Sequence, residues 1–461
     1  MGSPEMRGIT GITADSRAVR PGFLFAALPG TKADGREFIA EAVARGAAAV
    51  LAPEGTLWPP GVPPRRFLLS PEPRVKLAEL AVEWAGKMPE RLVAVTGTNG
   101  KTSTADFLRQ IFELAGRKAA SIGTLGVVAP GRPVVDSLTT PDPVTLAQTL
   151  ADLAQNGVSD VAMEASSHGL SQHRLDGLRF CAAGFTNFTR DHLDYHGTME
   201  AYAEAKLLLF SRLMRPGGAV RVMADITPHV LARLQKIAEE KGLDFAPVGI
   251  DRVEPYPDGQ LVVCGERGAK MHLPGRFQAD NAVLAAALAE ACGVAEAFAL
   301  LPQLAGVRGR LERALVLPNG AAVYVDYAHT PDAIARVLSA LRPHASGRLY
   351  IVFGAGGDRD PGKRPLMGQA AARGADVCTV TDDNPRSENP AHIRAAILAA
   401  CPDAKEIGDR RTAIAAALAD LQAGDVLVVA GKGHEQGQIF ARGEVVPFDD
   451  VSVIRECAGV L

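Results

Sequence analysis

Residues 93–103 read VAVTGTNGKTS, an order of residue types suited to holding a polyphosphate. Gly97 and Gly100 allow a tight backbone curve whose N–H groups, with those of Thr98 and Asn99, point at phosphate oxygens. Lys101 adds a positive charge, Thr102 offers a hydroxyl to Mg²⁺, and Ser103 continues into a helix whose N-terminal dipole favours an anion. The full P-loop pattern would have glycine where this chain has Val95, so the match is to a shorter variant, G-T-N-G-K-T. The competing reading is an ordinary glycine turn before a helix. Strand, loop, lysine and hydroxyl in the right order favour ATP.

Two further segments concentrate metal-compatible side chains. AMEASSHGLSQHR and NFTRDHLDYHGTMEAYAEAK carry Glu164, His168, His173, His192 and Asp194, and four of the ten histidines fall between 168 and 196. The H-E-x-x-H frame of a hydrolytic zinc site is absent, whereas Mg²⁺, held by few protein groups plus phosphate oxygens, suits a cluster that follows a nucleotide loop. Each histidine alone could equally cap a loop or bond locally. Lys206, in a helical stretch, reads by spacing as a solvated surface lysine. A third polar cluster, TDDNPR at 381–386, ends the apolar run ADVCTV.

These residues need strands and loops to hold them. RLVAV, DVAME and CAAGFTNF are apolar runs of strand length, and STADFLRQIFELAG has helical spacing and ends at a glycine. RFQADNAVLAAALAEACG reads as a helix closing a middle domain near residue 306. Upstream, FLFAAL and AAAVLA flank the helical REFIAEAVARG in a small α/β unit. Downstream, AAVYVDYAH, RLYIVFGAGGDRD, ADVCTVTDDNPR and DVLVVAGKGHE are strand runs ending in polar loops, the arrangement that forms a ligand crevice at the carboxyl edge of a parallel sheet. GAGGDRD only partly matches a dinucleotide fingerprint, because Arg359 occupies the third glycine's place. The expected architecture is α/β in three domains: a small N-terminal α/β domain over 1–88, a central P-loop ATPase-like parallel-sheet domain over 89–306, and a C-terminal Rossmann-like domain over 307–461.

Composition agrees. With 461 residues, 47% hydrophobic and 22% charged, and a formal net charge of −3, the chain is long enough for about three cores and lacks the basic excess of a nucleic-acid binder. Six scattered cysteines without a C-x-x-C pair argue against structural zinc and a disulfide framework, and point to a reducing cytoplasm. No segment reads as a signal peptide or membrane span.

TGTNGKTS, TTPD, EASSHGLSQHR, NFTRDHLDYHGT, YAEAKLLLF, GRFQADNAVLAA, GRLE, DYAHTPDA, DDNPR and GKGHE together resemble the Mur ligases, the ATP-dependent amino-acid-adding enzymes of peptidoglycan synthesis, in the family's own order. The resemblance implies a cytoplasmic, monomeric ligase using ATP and Mg²⁺, acting on small molecules and not on nucleic acid or membrane. It further implies that Gly97–Ser103 hold the phosphates, and that Thr102 and Glu164 hold one Mg²⁺. His192 and a carbamylated Lys206 would serve a second metal site. Lys101, Glu164, His192 and Lys206 would form the catalytic set. Asn281, Arg310 and Asp326 resemble positions that contact the nucleotide across a domain interface, so that catalysis would require closure of the third domain. Ser16, Thr31, Lys32 and Ala33 would bind the UDP-sugar; Thr139, Thr140, Ser166, Gln172 and Arg174 would hold the muramoyl peptide.

Within the family the chain resembles the members that extend UDP-N-acetylmuramoyl-L-alanyl-D-glutamate, and the D-N-P-R pattern resembles those that add meso-diaminopimelate. That substrate ends in an amino-acid head with ammonium and carboxylate, so a guanidinium and an acid are both needed, and an arginine fork matches a carboxylate. Arg359, Asp383, Asn384, Arg386, Gly431 and Glu435 would make that site, with Arg386 on the distal carboxylate, Asp383 on the ammonium and Asn384 supporting both. Against a lysine substrate Arg386 would face a like charge. The alternatives are Arg386 closing a turn against Asp382 or Glu388, a lysine-adding ligase, or a non-catalytic nucleotide-binding relative.

Overall fold

The computed structural model describes residues 3–30, 33–131, 138–256 and 259–460. Among them the short apolar runs form strands at the expected places. The first four, β1 (Gly11–Thr13), β2 (Phe23–Ala26), β3 (Ala49–Pro53) and β4 (Arg66–Ser70), pair in parallel in that order. Phe25, Val50 and Ala52 pack on one face with Ile39, Ala42 and Val43 of the following helix.

The next seven strands are β5 (Arg91–Thr96), β6 (Ala119–Gly123), β7 (Gly126–Val128), β8 (Asp160–Glu164), β9 (Phe180–Phe185), β10 (Met214–Met223) and β11 (Asp244–Val248). Their order is β11-β10-β9-β5-β8-β6-β7, parallel except for β7. Helices cover both faces, so β5 is a continuous apolar run with Val93, Ala94 and Val95 wholly buried. Burying each valine contributes roughly 1.5–3 kcal/mol. The topology puts β5 between β8 and β9, so the carboxyl ends of these three strands are neighbours, and a parallel sheet binds ligands there.

A three-stranded antiparallel sheet follows, β12 (Arg252–Tyr256), β13 (Gly259–Cys264) and β14 (Arg267–Met271), which the sequence pattern had not suggested. The last main sheet holds β15 (Glu312–Val316), β16 (Ala322–Asp326), β17 (Leu349–Phe353), β18 (Val377–Val380), β19 (Lys405–Glu406) and β20 (Val426–Ala430), in the order β15-β16-β20-β17-β18-β19. A ribbon of β21 (Gly437–Ile439) and β22 (Val445–Pro447) completes the strands. Contacts divide the chain into two units. The first holds Met1–Val248 and Leu284–Ala297, and therefore the first two sheets; the second holds Gly249–Val283 and Phe298–Leu461.

In the second unit Arg410 is the largest fully buried side chain. Its Nε and Nη2 donate to the two oxygens of Asp450, each at 2.8 Å, and Nη2 also donates to the Ala430 carbonyl at 3.0 Å. Both members of the pair are wholly out of solvent. Removing one partner strands a charge, which typically costs about 3–5 kcal/mol. Arg410→Met should therefore lower stability by that order in urea unfolding, and Arg410→Met combined with Asp450→Leu should recover most of it. A single variant as stable as the parent would contradict the assignment.

Candidate active site

β5 runs into the loop 97–100, and Gly97 (φ +139°) and Gly100 (φ +84°) take conformations that side chains disfavour. A Cβ on Gly97 would collide with the Thr186 hydroxyl and stand 3.1 Å from the Asn187 backbone, so the close crossing of loop and β9 terminus requires glycine. Asn187 grips the loop. Its carbonyl accepts from Thr98 N–H at 2.9 Å, its side-chain oxygen accepts from Asn99 N–H at 2.9 Å, and its amide donates to the Asn99 carbonyl at 3.0 Å. Thr186 Oγ1 donates to the same carbonyl at 2.6 Å. The N–H groups of Thr98 and Asn99, expected to face phosphate, are thus used to shape the loop. The anion-facing donors are left to the first turn of the helix Lys101–Leu114, which holds Thr102 and a buried Ser103 and whose leading N–H groups have no intrahelical acceptor.

Two lysines converge on one carbonyl. Lys101 Nζ donates to Gly97 O at 3.0 Å and Thr98 O at 2.8 Å, and Lys206 Nζ donates to Gly97 O at 2.6 Å. Lys206 is not a surface residue: it lies on the helix Met199–Arg212, 1% exposed, with Nζ 4.4 Å from the Tyr202 ring centre. Burial above all, then the charge of Lys101, holds its ammonium well below the usual lysine range, which favours the neutral amine.

Glu164 ends β8 beside this loop, 2% exposed. Its carboxylate accepts from Thr124 N–H at 2.7 Å and from Thr124 Oγ1 at 3.4 Å. The Thr124 and Thr139 hydroxyls are 3.1 Å apart, and Thr140 Oγ1 donates to the Glu164 carbonyl at 3.0 Å while meeting Ser166 Oγ at 3.0 Å. Thr139, Thr140 and Ser166 therefore gather around Glu164.

The histidines divide. His173 bonds locally, 3.2 Å from Arg212 Nη1 and 3.4 Å from Asp176. His192 caps a short helix at φ +51°, with its ring 4.9 Å from that of His168 and 6.1 Å from that of Tyr202. Among the described residues no three His, Cys, Asp or Glu side chains form a complete metal cage. A hydroxyl at Thr102 and a carboxylate at Glu164 are hard oxygen donors, and so few protein groups fit Mg²⁺, which keeps phosphate and water ligands.

A cleft of ≈650 Å³ in the same unit joins the N-terminal sheet to the central one, lined by Thr13, Asp15, Arg74, Asp142, Gln172 and Arg174 among others. Arg174 donates to Thr140 O at 2.6 Å and to Gln172 Oε1 at 2.7 Å, and Gln172 Nε2 donates to Tyr195 Oη at 3.2 Å. Burial lowers the Arg174 pKa. Ser16 follows Asp15 and lies beside the cleft, its hydroxyl donating to Glu41 at 3.2 Å. The Ala33 carbonyl accepts from Gly30 N–H at 3.1 Å. Thr31 and Lys32 fall outside the described residues.

In the second unit the carboxyl ends of β16, β20, β17 and β18 carry Asp326, Gly431, Glu435, Arg359, Asp383, Asn384 and Arg386. Asp326 ends β16, and its oxygens accept from Leu311 N–H and Ala328 N–H, each at 2.8 Å; burial raises its pKa. Arg310 stacks over Tyr327 at 5.1 Å and accepts through its carbonyl from Gln278 Nε2 at 2.8 Å. Its Nε is buried without a hydrogen-bond partner among the described residues, as a donor awaiting an anionic ligand would be. Asn281 is buried on the same helix as Gln278, Arg276–Ala291.

Asp383, Asn384 and Arg386 follow β18. Asp383 is 5% exposed and lies against Gly431, where a Cβ would meet Asp383 Oδ2 at 2.5 Å. Burial raises its pKa, opposed by the charges of Arg410 and Lys432. Asn384 accepts from Lys432 Nζ at 3.0 Å and Ile439 N–H at 2.9 Å, and donates to Glu435 at 2.9 Å, so it braces Glu435 from within the protein. Arg359 is exposed after β17.

Arg386, at φ +51°, is half-buried and donates through Nη1 to the Gly357 carbonyl at 2.8 Å. It forms no ion pair among the described residues. Asp382 pairs with Arg394 and Glu388 with Arg364 instead, so the turn-closing alternative for Arg386 is not what the structure contains.

Three family descriptions match the chain: "Mur ligase family, catalytic domain" over 8–62, "Mur ligase middle domain" over 95–289, and "Mur ligase, glutamate ligase domain" over 309–433. A Caulobacter vibrioides protein named UDP-N-acetylmuramoyl-L-alanyl-D-glutamate--2,6-diaminopimelate ligase is 55% identical over 96% of this chain and 94% of its own length. The chain belongs to the Mur ligase family. A solved structure bearing the same ligase name covers 100% of this Mur ligase and 99% of its own chain, at TM-score 0.75 and 33% identity. The MurF ligase of Thermotoga maritima in complex with ADP shares the fold at TM-score 0.63 and 17% identity, covering 99% of both chains.

Several residues that shape this Mur ligase's candidate site carried no recognised signal. Thr124 and Arg74 lie in no motif, and Arg410 meets Asp450 forty positions away. Asn187 and Lys432 sit inside NFTRD and GKGHE, where their place in a motif was the available clue.

Proposed function

We propose that this Mur ligase joins meso-diaminopimelate to UDP-N-acetylmuramoyl-L-alanyl-D-glutamate, converting ATP to ADP and phosphate. The observation that carries the choice of amino acid is Arg386, a half-buried guanidinium without an ion-pair partner among the described residues, on the loop that also carries Asp383. The name of the Caulobacter vibrioides relative supports the same choice.

The residues divide the work. The dipeptide's γ-carboxylate attacks the terminal phosphorus of ATP, giving an acyl phosphate and ADP; the amine of diaminopimelate then displaces phosphate to form the amide. Lys101 and the first turn of its helix would hold the phosphates, with Asn187 keeping the loop in shape. Mg²⁺ supplies charge neutralisation on the phosphate oxygens when bound, and Thr102, Glu164 and His192 would hold it. The neutral amine favoured at Lys206 is the form that can take up CO₂, losing a proton and becoming an anionic carbamate. Gln172 and Arg174 would fix the muramoyl peptide in the cleft that also receives the UDP-sugar beside Ser16 and Ala33. Asn281, Arg310 and Asp326 would serve the nucleotide. Arg386 and Arg359 would read the distal carboxylate of diaminopimelate, and Asp383 and Glu435 its ammonium, beneath Gly431. The enzyme is proposed to act as a cytoplasmic monomer; no helix among the described residues is long and apolar enough to cross a membrane.

ADP release measured with the UDP-dipeptide and either meso-diaminopimelate or L-lysine tests the reading. Release should require diaminopimelate, and Arg386→Ala should raise its KM by about 10-fold or more, as expected for a lost charge-assisted bond of ~1.5–3 kcal/mol, with the KM for ATP unchanged. Equal rates with both amino acids would overturn the role of Arg386, and no release with either would favour a binding protein. Lys206→Ala should lower kcat on the order of 10²-fold and regain part of it with added formate or acetate. Unchanged turnover would remove the carbamate from the account.

A further inference from the structure

Cys181, the second residue of β9, and Cys292, just past the helix Arg276–Ala291, are 111 residues apart in sequence, yet their sulfurs are 3.9 Å apart in the first unit. Both are half-buried, so a small oxidant can reach them. Their backbones are fixed. Cys181 lies in β9, and its thiol also meets Leu92 O at 3.3 Å. Cys292 N–H donates to Leu288 O at 3.1 Å and Ala289 O at 3.0 Å. Arg117 donates to the Cys292 and Gly293 carbonyls at 3.0 and 2.9 Å and pairs with Asp160 at 3.2 Å. A disulfide bond is ~2.05 Å long, so the sulfurs must close from 3.9 Å.

We propose that Cys181 and Cys292 form a reversible disulfide, a redox modification site whose oxidant is a hydroperoxide. Cys181 is proposed as the attacking sulfur, because the positive charges of Arg215 and Arg91 favour its thiolate whereas the Asp160 carboxylate disfavours that of Cys292. The Cys181 thiolate attacks one peroxide oxygen; an S–O bond forms, the O–O bond breaks, and hydroxide, or alkoxide from an organic peroxide, leaves. Cys292 then attacks the sulfenic sulfur. The S–S bond forms, the S–O bond breaks, and the hydroxyl leaves as water with the Cys292 proton. Two electrons pass from the thiols to the peroxide. The other close pair, Cys378 and Cys401, is buried, and burial raises both thiols, so it is the slower pair. A bond at 181–292 would fasten the end of a helix to the amino end of β9, whose carboxyl end leads to Thr186 and Asn187 at the phosphate loop. In a reducing compartment such a bond is transient and opened by thiols, as a sensor requires.

The test treats the full-length protein with a small excess of hydrogen peroxide and maps cysteine peptides with and without dithiothreitol. The Cys181–Cys292 peptide should dominate, with free thiols falling from six by two and returning on reduction. The oxidised protein should melt at a higher temperature, because the bond closes a long loop. Cys292→Ser should leave Cys181 as a sulfenic acid trapped by dimedone, and Cys181→Ser should prevent the disulfide. Overturning results are a Cys378–Cys401 peptide appearing first, a parent Cys181 that stays reduced, or a parent Cys181 that passes to sulfinic acid without a disulfide. The parent measurement decides the question even if a variant does not fold.

Discussion

A lysine amine 1% exposed, beside a second lysine and bonded to the same carbonyl, is the constraint from which the proposed chemistry of the central sheet starts. Water cannot solvate Lys206, and the nearest charge repels it, so the protonated form is disfavoured. A stability argument alone would put methionine or leucine there. Keeping an amine at the edge of a phosphate loop is a local loss that function must compensate, and conversion to an anion would turn the repulsion from Lys101 into attraction. The Tyr202 ring that covers it, with its own phenol pushed up to about 12 by burial, shows how dry the surroundings are.

The same principle organises the second unit with opposite signs. Asp383, Glu435 and Asp450 are set among Lys432 and Arg410: Arg410 pairs directly with Asp450, and Asn384 ties the buried Lys432 to Glu435. Such a frame fixes the acids in position, as the proposed recognition of a ligand ammonium would require. Arg386 stands apart from the frame. Its left-handed backbone is a cost that the Ile439 and Gly357 hydrogen bonds sustain, and strain of this kind collects where a side chain must be aimed.

What could be read in advance follows from how local each feature is. Strand β5, the glycine loop and its helix are contiguous, and their order of residue types is itself the physics of anion binding, so they were legible. So were the apolar runs that became β16, β17, β18 and β20. Lys206 was not legible from spacing, because its burial depends on Tyr202 above it and on a loop more than a hundred residues earlier; only the family resemblance marked it. The use of the Thr98 and Asn99 N–H groups by Asn187 was equally hidden, since it arises from β5 and β9 lying side by side. The antiparallel β12–β14 carries weak alternation and several charged residues, and its pattern did not stand out. Asn384 was expected to face a ligand; its buried bracket with Lys432 and Glu435 depends on β18 and β20 ending near each other, which needs the sheet order.

In the proposed reaction a carboxylate becomes an acyl phosphate before an amine displaces the phosphate. Oxygen transfer tests that most directly. With ¹⁸O in the dipeptide's γ-carboxylate, the account predicts that one labelled oxygen per turnover appears in the released phosphate, because the attacking oxygen stays on phosphorus when the amine displaces it. Label in AMP, or unlabelled phosphate alongside amide formation, would contradict it.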